Sequence, residues 1–189
     1  MAATVSPSEY APMHAPYVAR VQGADIVDTL QRQRELIAAV GAAVPADREE
    51  YRYAPGKWSI REVIGHLADG ERIFGYRALC VARGEQQSLP GFDENAYAAA
   101  STAGRRPLRD LVDELLALRA ANVAMFAGFD EEAWSRAGTA NQFPVTPRGM
   151  AFVIAGHFLH HLDGLRERYG VAVAGPSAAE EVAAPPVGA

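Results

Sequence analysis

The chain has 189 residues, 49% hydrophobic and 22% charged, with a formal net charge of −5. This is ordinary globular composition, enough for one domain that buries roughly 70% of the surface its unfolded form exposes. It excludes a membrane-spanning protein, because no run of about 18 apolar residues occurs, and the scattered arginines (Arg105-Arg106, Arg166, Arg168) form no basic stripe for nucleic acid.

In chain order, the first 16 residues carry three prolines and no sustained periodicity, and are expected to form a flexible arm, mobile or draped. A folded domain is expected over 17–170. Its first helix spans about Asp25 to Val44, with Ile26, Leu30, Leu36, Ile37 and Val40 apolar and Pro45 as the stop. The second opens with Ser59-Ile60-Arg61-Glu62, a capping box, and continues to about Arg83. A long connection, 84–106, follows, with a short helical piece at Glu94 to Ala100. Loops this long in a compact domain line a site or cover a core. The third helix runs from Pro107 to about Ala127. Asp130 to Trp134 predicts one helical turn and Gln142 to Val145 an extended piece. The last helix takes Thr146 as cap and Pro147 at its first position, and runs to Tyr169 with Gly170 as the stop. From Val171 onward Ala, Pro, Gly and Glu dominate, so 171–189 is expected to be disordered. Four long helices and no convincing strand alternation predict an all-α four-helix bundle.

The histidines carry the chemistry. Of five, one lies in Gly65-His66-Leu67-Ala68-Asp69 and three in Gly156-His157-Phe158-Leu159-His160-His161. Two imidazoles four residues apart on a helix project from one face and grip a single ion. At about 100° per residue, His161 sits near the centre of the last helix's apolar arc and His157 on its flank, whereas His160 falls towards the edge. His66 lies at the border of the second helix's apolar arc, with Gly70 leaving room beside an imidazole and Arg77 on nearly the same side. The expected ligands are therefore His66, His157 and His161. His160 is a solvent-facing or supporting group and a candidate base for hydrolysis, and Arg77 is a candidate to hold an anionic substrate group. Asp69, one turn after His66, is a candidate to orient an imidazole or act as a base. Against these stand plainer readings: a lone helical His is more often a packing residue, and Asp69 a solvated one. Phe152 and Leu159, opposite His161, are expected to pack under loops or form a dimer patch. Trp58 and Trp134 read as core or loop anchors. The single Cys80 forms no intrachain disulfide framework, and residues 1–7 lack the basic and apolar regions of a secretory signal, so the cytoplasm is the expected compartment.

The stretches Tyr53 to Phe74, Leu89-Pro90-Gly91-Phe92-Asp93-Glu94-Asn95 and Ile154 to Leu162 together resemble the DinB superfamily of DinB-like and YfiT-like metalloenzymes. The resemblance implies a four-helix bundle with up-up-down-down topology. It also implies one divalent metal, zinc or nickel (with manganese, iron or cobalt as alternatives), held by His66, His157 and His161. Activities implied are transfer of a low-molecular-weight thiol to a small electrophile or hydrolysis by metal-bound water. The non-catalytic alternative is a metal-binding stress-response protein. The expected partner is a small molecule, and dimers are common among similar proteins, so a homodimer is a further expectation.

Overall fold

A computed structural model describes residues 4–173. Among them are seven α-helices and one two-stranded sheet. The helices are α1 (Ala15–Val18), α2 (Ile26–Ala43), α3 (Ile60–Ala82), α4 (Glu94–Ala100), α5 (Leu108–Ala127), α6 (Glu131–Ser135) and α7 (Pro147–Glu167). Three of the four long helices, α2, α3 and α7, start at a side-chain cap, and α5 follows Pro107 without one. The Asp25 carboxylate accepts from the Asp28 amide, and the Thr146 hydroxyl accepts from Gly149. At α3 the capping box is reciprocal: the Ser59 amide donates to Glu62 at 2.7 Å while the Glu62 amide donates to the Ser59 hydroxyl at 3.3 Å. These bonds satisfy amides that the first helical turn leaves without partners.

The four long helices bury one shared core, including Leu30, Ile37, Ile64, Leu111, Leu115, Phe158 and Leu162. Side-chain contacts give their directions. Gln33 meets Arg119 and Gly41 lies against Val112, so α2 and α5 are antiparallel. Arg61 reaches Gly104, just before α5, and Gly75 faces Asn122 towards its end, so α3 and α5 are parallel. Tyr169 bonds the Trp58 carbonyl while Gly70 faces His157, so α3 and α7 are antiparallel. The four-helix bundle is as expected, but its directions alternate up, down, down, up, which corrects the up-up-down-down order. The physical reason lies in the connection 83–107, which carries the chain back along the bundle and makes the helices on either side of it parallel.

The strands β1 (Gly138–Ala140) and β2 (Phe143–Val145) form an antiparallel hairpin. Its two turn residues, Asn141 (φ 49°) and Gln142 (φ 66°), both take left-handed conformations. A two-residue turn of that kind matches the twist of paired strands. Only the second strand was anticipated, as an extended piece. Leu89 joins the hairpin through bonds to Thr139 and Asn141, pinning the long connection to it.

The N-terminal segment is draped rather than loose. Val5, Tyr10 and Ala11 are buried, and Gln22 bonds both the amide and the carbonyl of Val5. α1 lies on α7 at Gly156, where a Cβ would stand 2.0 Å from the Tyr17 carbonyl oxygen. At the other end, Val171 and Val173 are buried against the core, so the expected boundary at 170 falls short of the packed chain. Residues 174–189 of the expected tail lie outside the described residues. Phe152 and Leu159 are fully buried, which removes them as a surface patch.

Candidate metal centre

α3 and α7 face each other where their histidines fall. The Nε2 atoms of His66 and His157 are 2.9 Å apart, and those of His161 and His157 are 3.1 Å apart. One ligating atom from each of the three lies within 4.8 Å of the others. Gly70 makes this approach feasible: a Cβ there would stand 3.0 Å from the His157 ring. The room that the glycine leaves is thus for the imidazole of the facing helix, not for that of its own.

This donor set fits a divalent cation. Three imidazole nitrogens about 2.0–2.1 Å from one ion in tetrahedral directions stand roughly 3.3 Å from one another, close to the spacings seen. Without a cation the cluster is poorly bonded, because one His157 nitrogen faces two others and a single lone pair or N–H serves only one of them well. The histidines' lack of protonation also favours binding. Burial lowers the pKa of His66 to about 4 and that of His161 to about 3, the latter helped by the charge of its neighbours. Burial, followed by the neighbouring histidines, holds His157 well below the ordinary value. All three are neutral at pH 7, the form that ligates.

The cluster opens on a cavity of about 310 Å³. Its walls include Trp58, 4.7 Å from the His66 ring, Tyr17, 5.3 Å from His157, and Phe74, 5.8 Å from His157. The long connection supplies Phe92 and Glu94, as expected of a segment covering a site, and α3 supplies Arg77. A second cavity, of about 380 Å³, shares Trp58 and His161 with the first and is more polar, with Arg20, Lys57, His160 and Arg168 in its walls.

The structure sorts the remaining candidates. His160 is exposed and lines the second cavity, its ring 5.1 Å from that of His161. Asp69 lines neither cavity; it lies 3.9 Å from Arg72 on the flank of α3, so its place beside His66 in sequence does not bring it to the centre. Three wall residues escaped sequence reasoning. His14 and Tyr17 belong to the segment without periodicity, where the density of ring side chains in Pro12-Met13-His14-Ala15-Pro16-Tyr17 was the available signal. Glu94 reads in sequence as the first residue of a short helix.

The sequence pattern of the DinB superfamily matches residues 19–163. The chain belongs to the DinB superfamily. No curated protein matches it. Among solved structures, this DinB protein is similar to YfiT from Bacillus subtilis, described as a probable metal-dependent hydrolase with an unusual four-helix bundle topology. The two share 15% identity and a TM-score of 0.68 over 90% of this chain and 95% of that one. It is also similar to a mycothiol-dependent maleylpyruvate isomerase, at 13% identity and a TM-score of 0.64, over 90% of this chain and 68% of the other. At these identities the likeness shows the DinB fold alone. No helix among the described residues is long and apolar enough to cross a membrane.

Proposed function

We propose that this DinB protein is a metal-dependent transferase that joins a low-molecular-weight thiol to a small electrophile. The observation that carries the reading is the three-histidine cluster at the junction of two cavities of different character. His66, His157 and His161 would hold one divalent ion, zinc or nickel. When bound, such an ion lowers the pKa of a thiol or water at its open position and so supplies a nucleophile at neutral pH. The polar cavity suits a hydrophilic thiol: Lys57 and Arg168 line it and form no ion pair among the described residues, the Arg168 guanidinium meeting the Tyr53 ring and hydroxyl. The aromatic cavity, walled by Trp58, Phe74 and Phe92, suits an electrophile with an apolar body. That one structural neighbour is mycothiol-dependent supports the same reading.

Hydrolysis is the second reading, and Glu94 is the observation in its favour. Its carboxylate is in the wall of the aromatic cavity, near enough for its charge to act on His66 and Tyr17, and a base that takes a proton from water needs such a place. Asp69 would not serve, being outside the cavity. The deciding assay is conjugation of a thiol to monochlorobimane or chlorodinitrobenzene by the metal-loaded protein. Thiol-dependent turnover lost in His157→Ala is the expected result. Ester hydrolysis without thiol would replace the first reading by the second, and neither activity across a broad panel would favour a non-catalytic metal-binding protein.

A further inference from the structure

Two arginines are buried in this molecule, and only one is compensated. Arg119, 1% exposed, lies 2.5 Å from Glu71 and donates to Gln33 at 2.7 Å. Arg77 is 5% exposed and donates one hydrogen bond, from Nη2 to the Pro90 carbonyl at 2.7 Å. Among the described residues no carboxylate lies within ion-pair distance of it, although Glu94 lines the same cavity. A guanidinium presents five N–H donors in a planar fork. Taking such a charge out of water without an anion is costly.

The surroundings of Arg77 have a consistent chemistry. Its guanidinium carbon lies 5.8 Å from the centroids of Phe74 and Phe92, so two aromatic rings flank it. His14 lines the same cavity, with a buried Nδ1 that has no hydrogen-bond partner among the described residues. Burial, then the charge of Arg77, lowers the pKa of His14 to about 4, so its ring is neutral at pH 7 and has one N–H to donate. A cation with unused donors, a neutral imidazole lacking a partner and two flanking rings, all in the cavity of the three-histidine cluster, describe the negative of one kind of ligand.

We propose that Arg77, seconded by His14, is a carboxylate-binding subsite, and that the substrate of the aromatic cavity is a compact carboxylic acid whose apolar body lies against Phe74 and Phe92. This names a substrate class for the site and rests on the proposed function only for that site's being catalytic. The binding itself is independent of turnover.

The test is titration of the full chain with benzoate and with its uncharged isostere benzamide, followed by calorimetry and by Trp58 fluorescence, with and without zinc. In the zinc-free protein benzoate should bind at least about tenfold more tightly than benzamide, the scale of a charge-assisted hydrogen-bonded pair. Arg77→Gln should bring the two within about twofold, with its far-ultraviolet spectrum unchanged. Arg77→Lys keeps the charge without the fork and should retain a smaller preference, which serves if the glutamine variant does not fold. Equal affinity for the two probes in the wild type, or binding of neither, overturns the proposal. So does a benzoate preference that survives in Arg77→Gln, or one that exists only with zinc, since the carboxylate then sits on the ion. Absence of thiol transfer in the earlier assay would leave these results standing.

Discussion

Each of the three clustered histidines has a different neighbour that makes it suitable: Trp58 beside His66, Gly70 beneath His157, and the second cavity behind His161. Single alanine replacements of His66, His157 or His161 should each remove most of the bound metal by elemental analysis, whereas His160→Ala should keep it. Full metal in His161→Ala would break the assignment. His14 carries a pH prediction. Because its pKa is lowered in the folded protein, the unfolded chain takes up the proton first. Its contribution to stability is complete above about pH 6.5 and is lost as pH falls towards 4. Urea unfolding at pH 7 and pH 4 should therefore show a smaller loss in His14→Phe than in the wild type, by up to about 3 kcal/mol. Identical losses in the two proteins would mean that the ring is solvated.

The elements show why some of this is legible in the sequence. Boundaries of α2, α3, α5 and α7 are written in local chemistry: Asp25, the Ser59–Glu62 pair, Pro107 and the Thr146-Pro147 step mark their starts. Helical phase alone separated His160 from His157 and His161, because the angle around one helix is a local property. The rest depends on contacts distant in sequence. Nothing near His14 announces that α1 will lie on α7, and nothing near Asp69 announces that it turns towards Arg72 and away from the cavity. Directions of the helices depend on how far each connection travels, which residue types do not record. The seat of α1 makes a measurable prediction. Gly156→Val should force the Tyr17 backbone away from α7, lower the melting temperature by several degrees, at about 1–3 kcal/mol of overpacking, and weaken metal binding by displacing Tyr17 from His157. An unchanged melting temperature would show that α1 yields freely.

On the scale of the whole molecule, one polar network ties the bundle together. Arg119 of α5 holds Glu71 of α3 and Gln33 of α2, Gln33 donates to the Ala155 carbonyl of α7, and Asn122 donates to Glu71. All four long helices meet in it, close to the turns of α3 and α7 that bear the histidines. In sequence these are unremarkable polar residues on helices; their burial emerges only when the helices are assembled. Glu71→Ala leaves a buried guanidinium uncompensated and should cost about 3–5 kcal/mol in urea denaturation. A loss under 1 kcal/mol would mean that water replaces the carboxylate. Truncation after Gly170 should lower the melting temperature as well, because it removes the buried Val171 and Val173.

The draped N-terminal segment has a consequence for how the centre is made. Its seat, Gly156, and two of the three clustered histidines all lie on the last long helix to be synthesised, whereas His66 and the wall residues His14, Tyr17, Phe74 and Arg77 emerge first. On the ribosome, α1 therefore waits without its partner, and His66 is a lone imidazole with no power to retain an ion. Capture of a divalent ion by the proposed centre would then be a late event, possible only once α7 has left the exit tunnel and brought His157 and His161 to His66.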